Sequence, residues 1–374
     1  MLNLDSQRVP ILNPVLTGPI STVEPREHVP PLTHSGPRIA ALTVADSETV
    51  LSQAQVLKRL GLEGDEFAEG IFARSGVQRR HLELSDEFLA LGLQDRTPQV
   101  ERELLERSIR AVDALQVDPQ EIGTVISASL YSLGVPTLAH RLIDHYAMDP
   151  TTDKYHITGV GCASGVPLMK LASQTLHEHP ERKTLVVAAE SMSSTLMRAT
   201  PNDPKAKTVG SAIFGDGCAA ALLSRDPRAG GPAILASQVH QIADTHDAVS
   251  LHFSNQDSYL HLARELPDLA GAGLPAVAES FLRRNHLEHS DIDHWIVHPG
   301  GRRIIENVQT ALELSREDVA TSWSALAEHG NVGTPSIMYV LKDTIERYAP
   351  EPGERGLMVT IGPGVTVGLM LLGW

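Results

Sequence analysis

Cysteine is scarce in this chain: two in 374 residues, Cys162 and Cys218. Two thiols cannot make a disulfide framework, and no CxxC or Cys/His array suggests a zinc site. The expectation is a reducing, cytoplasmic setting. Long apolar runs are also missing; none approaches the length of about 18 residues that spans a bilayer. The first residues, MLNLDSQRVPILNPVL, lack the basic start and continuous apolar stretch of a signal peptide. Positive charge is in deficit, with 31 Lys and Arg against 46 Asp and Glu and a formal net charge of −15. Nucleic acid and anionic membrane, both polyanions, are therefore poor partners, and an anionic small substrate would need a local cationic patch.

What is present suits a sizeable core. Hydrophobic residues make up 42% and charged residues 21%, and the length fits about two domains or one large α/β unit. Residues 1–37 carry seven prolines (Pro10, Pro14, Pro19, Pro25, Pro30, Pro31, Pro37) without periodicity and read as an extended N-terminal arm. From residue 38 strands and helices alternate. Apolar runs at 38–45, 121–130, 155–161, 184–191, 218–224 and 294–300 predict strands. Helical spacing covers 52–62, 100–117, 136–148, 164–179, 273–287, 302–314 and 335–349. The segment 356–374 predicts a terminal hairpin with a Gly-Pro-Gly turn. This alternation predicts an α/β fold with covered sheets. RDPRAGGP (225–232) is the expected junction between halves 38–226 and 227–374, which show no visible sequence repeat.

Three residues sit where chemistry is built. Cys162, in GVGCASG, follows an apolar strand and precedes a helix, where unsatisfied N–H groups favour a thiolate. It fits a nucleophile, and equally a small buried hydrophobe. Cys218, inside an apolar strand, fits core packing. His298, in WIVHPGG, ends an apolar strand and opens onto a loop. Asn331, in HGNVGTPS, fits a turn or helix cap, or an amide donor aimed at a developing oxyanion. Cysteine as nucleophile with histidine and asparagine to activate the thiol or polarise a thioester is a coherent set.

The segments GVGCASG, SAIFGDG, WIVHPGGRRI, EHGNVG and IGPGVTV resemble the chalcone-synthase-like type III polyketide synthases of the thiolase superfamily, over about residues 38–374. The HPGG and GPGVTV segments carry most of that resemblance; a ketoacyl synthase III is expected to have HQAN in place of HPGG. The resemblance implies a thiolase-like, duplicated five-layered αβαβα fold, a homodimer, and no metal or prosthetic group. It implies that Cys162 accepts an acyl group from coenzyme A. His298 and Asn331 would bind the malonyl-CoA thioester, and Phe214 would gate the cavity beside the malonyl carboxylate. Phe214 fits core packing as well. The segment IFARSGVQRRH (71–81) resembles the basic motif near the coenzyme A entrance, implying phosphate contacts from Arg74, Arg79 and Arg80; a solvated turn is the other reading. Arg302 and Arg303 read as structural or surface charges.

Several positions depart from the plant enzymes. SLYSLGVP (129–136) lacks their Thr-Ser-Gly, and Leu260 stands where they have a second phenylalanine. In an ungapped comparison Leu251 falls where the family often has a glycine that shapes the chain-elongation cavity. Gly333 and Thr334 replace serines, whereas Thr195 retains the threonine that lines the cavity. The expected substrates are acyl-CoA and malonyl-CoA, with pocket-lining changes that suit a bacterial enzyme using other starters. Two alternatives stand: a ketoacyl synthase III-like enzyme or acyltransferase using an acyl carrier protein, favoured by a basic patch at the tunnel mouth, and an idle acyl-CoA-binding homologue.

Overall fold

The structure is a computed structural model, and it describes residues 36–374 except 133, 201–202 and 254–257. The proline-rich arm assigned to 1–37 lies almost wholly outside the described residues. The first half contains β1 (Arg38–Ala45), the short paired strands β2 (Val50–Ser52) and β3 (Arg79–His81), and between them α1 (Gln53–Arg59) and α2 (Glu66–Arg74). It continues through α3 (Asp86–Ala90), α4 (Leu93–Ala114), β4 (Ile122–Ala128), α5 (Leu138–His145), β5 (Asp153–Ile157), α6 (Gly165–Glu178), β6 (Lys183–Glu190), α7 (Lys205–Ile213) and β7 (Gly217–Ser224). The second half runs β8 (Ala233–Gln241), the hairpin β9 (Val249–Phe253) and β10 (Ser258–Leu262), then α8 (Leu266–Arg284) and β11 (His294–Val297). It ends with α9 (Arg302–Ala311), α10 (Ala320–His329), α11 (Ser336–Tyr348), β12 (Arg355–Gly362) and β13 (Thr366–Gly373). Helix α8 starts at Leu266 rather than at residue 273, because Pro267 in its first turn is the true start signal.

A duplication invisible in the sequence is plain in the strand order. The main sheet runs β11-β12-β13-β8-β1-β7-β6-β4-β5, and β8 meets β1 only through the Arg38–Ala233 pair. Outward from that seam, each half presents its first strand, its last, its next-to-last and its second. The first two pairings are antiparallel and the third parallel in both halves.

The continuous apolar runs follow from layers on both faces of each half-sheet. Side chains alternate along a strand, so neighbours feed different cores. Leu185, Val187 and Ala189 pack under α4 and α5, whereas Val186 and Ala188 face inward. In the second half Leu357, Val359 and Ile361 pack toward α8 and α9, whereas Met358 faces inward. Between the half-sheets lie α6 and α11, touching each other and strands of both halves. The order is thus helix, sheet, helix, sheet, helix, the five layers that the resemblance implies. Both inner helices are apolar all round at their N-terminal ends, with residues 336–341 and Gly165, Val166, Leu168 and Met169 buried.

The inner helices meet at Gly165, where an added Cβ would lie 2.1 Å from Ile337 Cγ2. Gly165→Ala forces the two helices apart. Overpacking of this kind costs about 1–3 kcal/mol, so the urea midpoint of Gly165→Ala should fall well below that of the parent. An unchanged midpoint would refute the close approach.

Candidate active site

Three loops converge at the ends of the inner helices. Cys162 lies in the 3₁₀ turn Gly161–Ala163 between β5 and α6. Asn331 lies between α10 and α11, and its backbone bridges the end of α7: its N–H donates to the Ile213 carbonyl (2.8 Å) and its carbonyl accepts from Gly215 N–H (3.1 Å). This bridge sets Asn331 against Phe214. His298 follows β11, tied by its N–H to the Val359 carbonyl (2.9 Å).

The Asn331 amide has a defined orientation. Its Oδ1 accepts from Gly333 N–H (2.9 Å) and Ser336 Oγ–H (3.1 Å). Its Nδ2 donates to the Gly300 carbonyl (3.3 Å) and lies 3.6 Å from Cys162 Sγ. Both ends of the amide lie close to the thiol: Nδ2 can donate to Sγ, and the thiol can donate to Oδ1 at 3.7 Å. His298 is 1% exposed, and neither ring nitrogen has a hydrogen-bond partner among the described residues.

These groups line one cavity of about 1250 Å³, with Phe214, Leu251, Leu260, Gly333 and Met192 on its largely apolar walls. Arg74, Lys205, Arg264, Arg302 and Arg303 also line it and are exposed, forming a cationic rim. Arg302 pairs with Glu306 (2.7 Å) and Arg303 with Asp268 (3.3 Å).

Burial dominates the titration of the inner groups. It pushes the Cys162 thiol up to about 12, against the lowering effect of the Asn331 amide and with Glu190 adding to the rise. It pushes the His298 imidazole down to about 3. Burial thus opposes both the thiolate that the turn before α6 favours and the imidazolium form of His298.

The comparisons with known proteins agree with this geometry. The family profile for FAE1/type III polyketide synthase-like proteins matches residues 38–297, and that for the C-terminal domain of chalcone and stilbene synthases matches 233–373. The chain belongs to the type III polyketide synthases. It is 31% identical to the 3,5-dihydroxyphenylacetyl-CoA synthase of Amycolatopsis orientalis over 90% of this chain and 93% of that protein. To the 1,3,6,8-tetrahydroxynaphthalene synthase of Streptomyces peucetius subsp. caesius it is 30% identical, over 80% and 81%. The solved tetrahydroxynaphthalene synthase of Streptomyces coelicolor A3(2) superposes with a TM-score of 0.82 at 26% identity, covering 89% of this chain and 98% of that one.

Within this type III synthase, the residues singled out in the sequence separate into two groups. Cys162, His298, Asn331, Phe214, Arg74, Leu251, Leu260 and Gly333 all line the cavity; Leu251 and Leu260 are direct cross-strand partners in the β9–β10 hairpin. Arg79, Arg80 and Thr195 are not among its lining residues. Arg80 is fully buried, and its Nη1 donates to the carbonyls of Ser211 and Phe214 (both 2.8 Å) while Nη2 donates to Gln53 Oε1 (2.6 Å). It braces the loop that carries Phe214 and cannot reach a phosphate. Arg79 points the other way and pairs with Glu328. Thr195 donates to the Met192 carbonyl (3.1 Å), and Met192 forms the wall there. Arg302 and Arg303, read as structural or surface charges, stand on the rim.

Gly333, in place of a serine, has φ +70°, and a Cβ there would meet Met192 Cε at 2.4 Å. Thr334, the other departure, binds a group the sequence reading missed. Its hydroxyl donates to the Glu190 carboxyl, which also accepts from Leu130 N–H (2.9 Å) and Ser129 Oγ–H (3.3 Å). Arg107, from α4, holds the Glu190 carbonyl (2.9 Å). Burial pushes the Glu190 carboxyl up to about 7 despite these donors.

The sign of the Glu190 linkage follows directly. From its ordinary 4.5 up to about 7, the unfolded chain has released the proton and the folded chain has kept it. Stability is full below 4.5 and falls as pH rises through 7, by about 3 kcal/mol at 1.36 kcal/mol per pH unit. Glu190→Gln, which is always neutral, should flatten this decline in urea midpoints measured from pH 4.5 to 7.5. A variant whose midpoints fall as steeply as the parent's would exclude Glu190 as the source.

Proposed function

We propose that this type III polyketide synthase loads an acyl group from an acyl-CoA onto Cys162 and extends it by decarboxylative condensation with a malonyl-CoA-type extender. The observation that carries the reading is the Asn331 amide, its Nδ2 held 3.6 Å from Cys162 Sγ, beside a buried His298 whose ring nitrogens have no partner among the described residues. In loading, Sγ attacks the thioester carbonyl while His298 takes the thiol proton. The carbon–sulfur bond to coenzyme A breaks, and the proton leaves with the CoA thiol. An imidazole whose nitrogens have no partner among the described residues is free to take that proton.

Malonyl-CoA then enters with its thioester oxygen toward His298 and Asn331. Loss of CO₂ leaves the electron pair on the α-carbon as an enolate, which the two donors stabilise. Phe214 sets an apolar face beside the departing carboxylate, where loss of charge is favoured. The enolate carbon attacks the acyl carbonyl, a carbon–carbon bond forms, and Cys162 is released as thiolate. The exposed arginines and lysine at the rim suit the phosphates of coenzyme A. We take the working unit to be a homodimer of subunits divided near 226/227, acting without metal or prosthetic group. The product is a small cyclised polyketide of pyrone or resorcinol type; among similar proteins are an α-pyrone synthase-like protein of Mycobacterium tuberculosis and the naphthalene synthase above.

The same rim favours a second reading in which an acidic acyl carrier protein delivers the starter. One assay addresses both. With a panel of acyl-CoAs, intact-protein mass spectrometry should show an acyl adduct that is absent in Cys162→Ala, and malonyl-CoA should then yield CO₂ and released polyketide. A parent protein never acylated by any CoA ester, but acylated from carrier protein, would reverse the donor. Acylation by neither would sink the reading. In the elongation pocket, Leu251→Gly should lengthen or enlarge the products, because the removed side chain faces the cavity; an unaltered product profile would remove Leu251 from the size limit.

A further inference from the structure

Away from the cavity, Asp46, His81 and His329 meet where β1, β3 and α10 end. One ligand atom from each lies within 4.8 Å of the others. Each side chain is about one-fifth exposed (22%, 19% and 23%), so the cluster is enclosed yet reachable from solvent.

The tautomer of His81 is fixed by its neighbour. Its Nδ1 lies 2.7 Å from the Ser47 carbonyl oxygen, which can only accept, so Nδ1 carries a proton and Nε2 is the ring atom left for another partner. That Nε2 faces Asp46 Oδ2 at 3.7 Å. A carbonyl holding one imidazole nitrogen while the other is left as a donor atom is the usual outer-shell arrangement of a metal-bound histidine. His329 Nδ1 is a buried atom that faces Asp46 Oδ1 at 3.3 Å, with no other partner among the described residues. The two imidazoles stack with centroids 5.6 Å apart and planes 17° from parallel, so their free nitrogens face the same carboxylate. Tyr339 Oη–H donates to Asp46 Oδ1 (2.9 Å) and Arg110 to its backbone carbonyl (2.9 Å), which fix the aspartate in place.

We propose that Asp46, His81 and His329 form a divalent transition-metal site, with Zn²⁺ as its ion. Bond lengths of about 2.0–2.2 Å to nitrogen and carboxylate oxygen place tetrahedral ligands about 3.5 Å apart, a spacing this cluster reaches with small side-chain movements. Two imidazoles and one carboxylate suit zinc, whereas calcium and magnesium take oxygen ligands. Three protein ligands leave a fourth position for water. Bound there, the ion would set its charge against the Asp46 carboxylate. The ion ties the strand bearing Arg80 to the turn of His329, two residues before Asn331. Its role is to hold that turn, and it takes no part in the proposed condensation.

The test uses tag-free full-length protein carrying Cys162→Ala, so that the cavity thiol does not compete for metal. After treatment with chelator, calorimetric titration with Zn²⁺ should show one ion per chain, and Co²⁺ should give the visible absorption of a low-coordinate site. Zn²⁺ should raise the melting temperature. His81→Ala, His329→Ala and Asp46→Asn should each weaken binding about tenfold or more. Asp153→Ala, at an exposed cluster with Glu178 and His179, should leave it unchanged. Absence of saturable Zn²⁺ binding, or one equivalent retained in His329→Ala, overturns the proposal. Should the variants fold poorly, anomalous scattering from Zn²⁺-soaked parent crystals decides it: a peak among these three residues supports the site, and its absence there overturns it.

Discussion

The site depends on how closely α6 and α11 approach. Cys162 lies three residues before the start of one inner helix and Asn331 five before the other, so a change in helix separation shifts sulfur and amide relative to each other. Gly165 makes that approach possible, because the place a Cβ would occupy is filled by Ile337. The alternation of core residues in the two half-sheets then follows as a requirement. Each strand must cover the inner helix pair on one face and an outer helix layer on the other. The 3.6 Å contact between Cys162 and Asn331 is thus the chemical consequence of a packing constraint buried at the centre of the molecule.

Around that centre, the buried charged groups brace backbone. Arg80 donates to the carbonyls of Ser211 and Phe214, Arg96 to those of Ser194 and Leu196, and Arg107 to that of Glu190. Each guanidinium satisfies carbonyls at the end of a helix, a strand or a 3₁₀ turn, where an unpaired group would cost about 1–3 kcal/mol. Burial lowers Arg80 to about 9 and Arg96 to about 10, and both remain cationic at neutral pH. The loops carrying Phe214 and Glu190 owe their shape to these arginines. Catalytic geometry here rests on polar side chains placed two layers away from the sulfur.

Much of this was legible in the sequence. Continuous apolar runs marked the strands, because both faces are covered, and Cys162, His298 and Asn331 stood out as residues at strand or helix ends in glycine-rich turns. Neither the phosphate contact that the resemblance of 71–81 implied for Arg80 nor a solvated turn describes it, since the side chain is buried. In β3 consecutive side chains point to opposite faces, so Arg79 and Arg80 cannot serve the same ligand; that alternation was readable and points to one of them being buried. Glu190 gave less signal, since a carboxylate after an apolar strand normally marks its exit into solvent. Only the fold reveals Thr334 and Leu130 closing over it. The duplication left no trace in residue identity because packing requires apolar volume in alternating positions, not particular side chains. Strand order records it instead.

Keeping the cavity's cationic side chains at its rim gives the net charge of −15 a different meaning from the one composition suggests. The cations that face the cavity stand at its exposed rim, and the interior holds a thiol, an imidazole and a carboxyl whose pKa lies near 7. On the proposed reading, that division sorts the substrate by its own polarity. The phosphates stay with the rim arginines in high dielectric, and the acyl chain occupies the apolar walls. The malonyl carboxylate must then enter the one region where its charge finds no cationic side chain among the described lining residues. Burial that raises the thiol pKa also destabilises that carboxylate, and expelling CO₂ relieves the cost. A deep arginine would hold malonyl-CoA more tightly and slow its decarboxylation, because it would stabilise the ground state more than the transition state. Keeping positive charge at the rim therefore serves turnover as well as binding.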